Sequence, residues 1–187
     1  MDPDLVVLAQ RGDVAAFESL MVANHHRLFR VAQGILRDPY LAEDATQQAF
    51  LDIWRDIRRL RDPSKFEGWS YRLLVRVCYA ETKRKRYVVP DTEMLPDEEP
   101  LAADAFDAVV DRDELERAFQ HLSVEHRTVI VLHHLLDMTL ERTAAVLDIP
   151  PGTVHSRVNR AMEALRVAFE AEAKSDTPVP LRGEAVR

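Results

Sequence analysis

A chain of 187 residues, 47% of them hydrophobic, has enough apolar side chains for one ordinary core or two small ones. It has no apolar run near the roughly 20 residues that a membrane-spanning helix needs, and its acidic start, Met1-Asp2-Pro3-Asp4, lacks a signal-peptide pattern; the chain is expected to be cytoplasmic, without membrane contact of its own. A formal charge of −7 argues against a nucleic-acid binder only if charge is averaged over the whole chain.

That average hides a sharp division. Residues 1–86 carry 15 Lys and Arg against 12 Asp and Glu, residues 87–114 carry 1 against 10, and residues 115–187 carry 9 against 10. A basic lobe is therefore followed by an acidic tether. The single cysteine, Cys78, cannot form an internal disulfide, and its place in an apolar helical stripe reads as a small core residue.

With 5 glycines and apolar residues three and four apart nearly everywhere outside the middle segment, the pattern predicts an all-α fold. The first long helix follows the Gly12-Asp13 break and lines up Phe17, Leu20, Met21, Leu28, Val31 and Ile35. Asp38-Pro39 ends it and starts a second, with Asp as cap and Pro at the first helical position; that helix stacks Leu41, Ala45, Ala49, Ile53 and Ile57, with Phe50 and Trp54 beside them. Asp62-Pro63 repeats the start signal for a third helix carrying Phe66, Trp69, Leu73, Leu74 and Val77 and ending in Lys83-Arg84-Lys85-Arg86. Residues 87–112 hold three prolines and the acidic run Asp97-Glu98-Glu99 with no sustained period, which reads as a flexible linker. The helical pattern resumes in a second domain, residues 113–172. There Ser123 and Thr139 are placed to cap helices, and Asp148-Ile149-Pro150-Pro151-Gly152 turns the chain into a last helix with Val154, Val158, Ala161 and Leu165 inward. Residues 173–187 read as a disordered tail.

The pair of helices across Thr139–Arg166 has the helix-turn-helix arrangement, and the 3.6-residue period turns His155, Ser156, Asn159 and Arg160 outward near the second helix's start, where base edges are usually read. Asn and Arg can bond bidentately to adenine and guanine edges. Arg157 and Arg166 lie beside that face with longer reach and are expected to contact phosphates. Periodicity alone leaves a plain helical hairpin open.

The string Pro151-Gly152-Thr153-Val154-His155-Ser156-Arg157-Val158-Asn159-Arg160-Ala161 resembles the recognition helix in region 4 of bacterial sigma factors. Leu122-Ser123-Val124-Glu125-His126-Arg127 is similar to the opening of that domain. Gly12-Asp13-Val14-Ala15-Ala16-Phe17, Ala42-Glu43-Asp44-Ala45-Thr46-Gln47-Gln48-Ala49-Phe50 and Trp69-Ser70-Tyr71-Arg72 look like successive landmarks of region 2. The landmarks stand in the family's order and spacing, with nothing resembling the extra domains of larger sigma factors, which points to the extracytoplasmic-function class. The resemblance implies two small helical domains, a region 2 bundle over residues 1–86 and a region 4 helix-turn-helix over 113–172, joined by the acidic linker.

It also implies partners and roles. Asp44, Gln47, Gln48 and Leu51 would dock on the clamp of core RNA polymerase, whose flap would meet the second domain. Arg72, Arg76, Lys83 and Arg84 would hold the minus-10 promoter strand, and His155, Ser156, Arg157, Asn159 and Arg160 the minus-35 element. A dedicated anti-sigma factor is a further partner that the family suggests. Arg76 stands where many relatives have an asparagine that captures a flipped base, Arg142 stands where relatives commonly have a capping-box glutamate, and Asp148 replaces a turn glycine, tolerable because Asp enters left-handed backbone space.

Other readings of these residues compete. Glu43 fits helix-dipole complementation near the start of its helix, and Phe66 and Trp69 at helical spacing fit a core better than a base-stacking platform. A paired-carboxylate catalytic site lacks a convergent histidine or metal set, and no nucleophile or phosphate-loop motif accompanies it; no enzyme activity, cofactor or metal is expected. Adjacent histidines in His25-His26 and His133-His134 diverge by about 100° on a helix and cannot easily share one ion. The alternative function is a free-standing helix-turn-helix regulator, which leaves residues 8–86 without a role. If the linker's acidity matters beyond tethering, neutralising Asp97, Glu98 and Glu99 should change abortive and full-length transcript yields more than folding. Unchanged yields would reduce the segment to a tether.

Overall fold

Helix starts in this chain are set by short polar caps, and each cap that the sequence offers is used. The computed structural model describes residues 3–88 and 118–175, and every regular element among them is helical. Helix α1 (Pro3–Gln10) buries Val6 and Ala9 and ends at Gly12, whose φ of +94° lies where only glycine is unstrained. Asp13 then caps α2 (Val14–Leu36), its carboxylate accepting from the Ala16 N–H at 3.0 Å. Asp38 accepts from the Tyr40 and Leu41 N–H groups at 3.0 and 3.1 Å, and Pro39 opens α3 (Pro39–Asp56). The small side chains of Ala42, Ala45 and Ala49, all buried, bring α3 close to α2. Gln10 reaches across from α1 and donates to the carbonyls of Ile57 and Leu60 at 3.0 and 2.6 Å, tying down the turn after α3.

The third start signal acts one step later than the sequence pattern implies. Asp62 accepts from the Ser64 N–H at 3.1 Å, but Pro63–Lys65 form a tighter turn, and α4 begins only at Phe66 (Phe66–Val88). It runs two residues beyond the boundary expected at residue 86. Helix α1 is an element that the periodicity did not announce, because eight residues give too few turns for a stripe to stand out.

In the second half, residues 118–120 are helical, and Ser123 caps α5 (Val124–Ile130) through the His126 N–H at 3.2 Å. The helix continues into one wide turn, Val131–Leu135, in which the Leu136 N–H reaches the Val131 carbonyl at 3.1 Å. Thr139 caps α6 (Leu140–Leu147) through the Arg142 N–H at 3.2 Å. Asp148 closes α6 in the left-handed region at φ 57° and ψ 45°, as its chemistry allows, and α7 (Pro151–Ser175) follows with proline first. Helix α7 passes residue 172, where the sequence pattern ended the domain. The expected linker from 89 onward and the tail beyond 175 lie outside the described residues.

The core does not stop at the acidic segment. Phe17, Leu20, Leu28, Ile35, Ile53 and Leu74 form the bundle's centre, and Val124, Val131, Leu132, Met138 and Val146 from the second half join the same buried cluster. A smaller cluster of Val129, Ile130, Ala144, Val154, Val158 and Ala161 holds α5, α6 and α7 together. Since the turn at Asp148 sets the angle between α6 and α7, Asp148→Val should lower stability by roughly 1–2 kcal/mol and Asp148→Gly should not. Urea unfolding of both variants measures this, and equal losses would show that the left-handed backbone is not the constraint.

Candidate nucleic-acid interface

The inward positions of α7 are buried as the sequence pattern requires: Val154 and Ala161 at 0%, Leu165 at 5% and Val158 at 8% exposure. His155, Ser156, Asn159 and Arg160 consequently project outward together, and all four are exposed. The Ser156 hydroxyl donates to the Thr153 carbonyl at 3.0 Å, which leaves its lone pairs to accept. Arg157 is half-buried at the side of this face, turned towards α4. Arg166 is held by its own helix, 2.6 Å from Glu163 and 2.7 Å from Glu170, so its guanidinium is already answered and the phosphate contact expected for it finds no support.

A second polar face runs along α4. Arg72, Arg76, Lys83 and Arg84 are exposed on it, Arg84 pairing with Glu81 at 2.7 Å. The aromatic residues of the same helix point the other way. Phe66 and Tyr71 are 1% exposed, and Trp69 is half-buried with its ring tilted against Phe66 at 6.1 Å. Burial pushes the Tyr71 phenol up to about 12, so it stays protonated at any physiological pH. These rings are core, and the DNA-facing chemistry of α4 is basic.

The third face is on α3, where Asp44, Gln47, Gln48 and Leu51 are all exposed. Gln47 donates to Glu43 at 3.0 Å and Gln48 to Asp52 at 3.1 Å, which fixes both amides along the helix. Leu51 is 63% exposed, and one turn on Trp54 lies 40% exposed against Phe17, with ring centroids 4.7 Å apart. Glu43 does not serve the helix dipole as expected. It sits past the first turn, and its carboxylate is lowered by the Gln47 bond and by His25, 3.5 Å away.

The remaining reactive side chains are structural. Cys78 is fully buried and its thiol is pushed up to about 12 by that burial. The His25 ring is stacked parallel to those of Phe29 and Phe50, His133 Nδ1 lies 2.6 Å from the Met138 carbonyl, and burial followed by the neighbouring His133 lowers His134. Among the described residues no cluster of three metal-ligating side chains exists.

Three residues of consequence carry no motif: Arg27, Gly34 and Glu67. Glu67 lies between two arginines from different halves of the chain, Arg27 and Arg142, at 2.6 Å from each. Arg142 had stood out only as a departure from a capping box. A charge exposed in place of a cap residue was the available signal, but nothing in the sequence named its partner.

Comparison with known proteins resolves the class. Residues 20–87 match the family model described as Sigma-70 region 2, and residues 112–165 match Sigma-70, region 4. The chain is 30% identical to the RNA polymerase sigma-H factor of Pseudomonas aeruginosa, the match covering 90% of this chain and 94% of that one. It is 29% identical to the extracytoplasmic-function RNA polymerase sigma factor SigW of Bacillus subtilis, over 84% of this chain and 90% of that one. In fold it is similar to the sigma factor RpoE of Bartonella quintana, solved with the anti-sigma factor NepR, at a TM-score of 0.65 and 22% identity over 85% of this chain and 99% of that one. It is likewise similar to CnrH, solved with the cytosolic domain of CnrY, at 0.60 and 21% over 94% and 99%. The chain belongs to the sigma-70 family of RNA polymerase sigma factors, in the extracytoplasmic-function class. Its class of activity is therefore transcription initiation through core RNA polymerase and promoter DNA.

Proposed function

We propose that this sigma factor divides its work among the three exposed faces: Asp44, Gln47, Gln48 and Leu51 of α3 bind core polymerase, the basic face of α4 holds the minus-10 strand, and α7 reads the minus-35 element. The observation that carries this reading is that each face is exposed, polar and built on a rigid helix whose opposite side is core. On α4, Arg72, Arg76, Lys83 and Arg84 supply charge for a single strand without a stacking ring, since Phe66 and Tyr71 are buried. Arg76 projects a long cation where a flipped base would be captured, which favours backbone contact and a relaxed minus-10 preference. On α7, His155, Ser156, Asn159 and Arg160 face base edges, and Arg157 reaches phosphate. The protein acts in the cytoplasm by recruitment and catalyses no reaction of its own. Because both solved neighbours were captured with anti-sigma partners, an anti-sigma factor is a natural regulator here too.

The defining test is promoter binding and transcription with and without core polymerase. A sigma factor requires the core, whereas a free-standing helix-turn-helix regulator binds duplex alone and would leave the residues 20–87 match without a role.

Reversing charge at Asp44 together with Gln47→Ala should weaken holoenzyme assembly while circular dichroism stays unchanged, since both side chains are exposed and neither caps a helix. Wild-type affinity in the double variant would remove α3 as the polymerase face.

Within α7 the variants should fail in different ways. Asn159→Ala should cost roughly 1–3 kcal/mol on the preferred minus-35 sequence and much less on sequences altered at the contacted pair. Arg157→Ala should weaken all sequences about equally and lower the salt slope by about 1. Holoenzyme binding to minus-35 point variants at several salt concentrations separates the two, and the reverse pattern would mean that the reading face is misassigned.

A further inference from the structure

The contacts between the two halves of the chain fall on one side of α4 and α2. Glu67 Oε1 lies 2.6 Å from Arg27, which is itself held by Asn24 at 3.1 Å, and Glu67 Oε2 lies 2.6 Å from Arg142 of α6. One turn along α4, Arg72 donates to the backbone carbonyl of Ala145, also on α6. Beside this polar line runs an apolar one. A Cβ placed on Gly34 of α2 would sit 2.7 Å from a methyl of Val131, and its three nearest neighbours would all be Val131 atoms. Glycine in the last third of a long helix is costly on propensity alone, and here its missing side chain is the space that Val131 fills.

We propose that the free chain closes on itself, with Glu67 latching Arg142 and Val131 seated over Gly34, so that α6 docks on the face of α4 from which Arg72 would reach promoter DNA. The occupant of that face is the C-terminal helical unit of the same molecule, and no second protein is needed to place it there. Closure is a property of the chain by itself; only its consequence, that α6 and the minus-10 strand compete for Arg72, rests on the function proposed above. The geometry permits both states. A segment of about 25 residues can span roughly 85 Å when extended, so the halves can separate without any helix melting, while the same tether keeps them at high mutual concentration when free.

Two variants attack the closed state through different physics. Arg142→Glu sets like charges against each other at Glu67, and Gly34→Ala wedges Val131 away although alanine is the better helix former. The distance between spin labels on Ser19→Cys and Val167→Cys, both exposed positions, reports the arrangement in the full-length free chain, and the buried Cys78 stays unlabelled. The unaltered interface should give one narrow distance distribution. Each variant should broaden it and move it to longer distances with undiminished helical circular dichroism, and Val131→Ala added to Gly34→Ala should restore the narrow distribution. A broad distribution in the unaltered interface, or a narrow one in Gly34→Ala, overturns the latch. In transcription with core polymerase, the opened variants should form initiating complexes several-fold faster. An equal rate from a demonstrably opened chain overturns the competition at Arg72. Failure of even the unaltered protein to initiate with core would instead overturn the functional assignment and leave the distance result standing.

Discussion

Glu67 is one carboxylate facing two guanidiniums, and how its two halves divide fixes how the whole molecule is arranged. Its bond to Arg27 stays within the N-terminal bundle, while its bond to Arg142 crosses to the C-terminal helices. Both pairs are partly solvent-exposed, and such pairs are each worth only about 0–1 kcal/mol. They cannot by themselves hold two domains together. The apolar side chains beside them are the larger quantity, since burying one residue of the size of Val131, Leu132 or Met138 is worth roughly 1.5–3 kcal/mol, part of it supplied by each domain's own packing. Apolar contact thus sets the strength of the association, and the ion pairs set its register, because only one placement of α6 brings Arg142 to Glu67 and Arg72 to Ala145 at once.

Closure also carries costs, which keep it reversible. Arg127 of α5 is largely removed from solvent, and its pKa is lowered first by that desolvation and then by the like charge of Arg37. Its Nε has no hydrogen-bond partner among the described residues. A buried cation near another cation opposes the docked state, and a contact between domains that mixes apolar packing with such penalties resembles a transient interface more than a permanent core. Tyr79 on α4 belongs to the same region. Burial raises its phenol pKa, while the charges of Glu125 and Arg157 act on it in opposite senses, which places α4, α5 and α7 within electrostatic reach of one another.

What the sequence made legible was local. Asp13, Asp38, Ser123 and Thr139 cap the helices they were read to cap, Asp148 takes the left-handed turn, and the period along α7 correctly separates Val154, Val158, Ala161 and Leu165 from His155, Ser156, Asn159 and Arg160. Each of these depends on residues within about one helical turn. The docking of α6 on α4 depends on residues more than seventy positions apart in the cases of Glu67 with Arg142 and Arg72 with Ala145, and periodicity says which face is covered without saying by what. One clue was nevertheless present. Val129, Ile130, Val131 and Leu132 are four successive apolar residues, too many for a single face of a helix, and the structure sends Val129 and Ile130 to the C-terminal cluster but Val131 and Leu132 to the bundle. A helix that is apolar all round is buried on two sides, and here the second side belongs to the other domain.

The closed arrangement treats the two DNA-facing surfaces unequally. On α7 the reading face stays exposed, with only Arg157 drawn towards α4, whereas on α4 the guanidinium of Arg72 is engaged by α6 and Arg76, Lys83 and Arg84 are not. Loss of one cation from a basic strand-binding face weakens it without abolishing its charge, so the closed chain keeps a long-range attraction for nucleic acid while lacking the full set of contacts needed to hold a strand. An approach to duplex DNA through α7 therefore requires no opening, and engagement of a melted strand by α4 does. The order of events that this favours is duplex contact first and strand capture second, with the Glu67–Arg142 latch released between them.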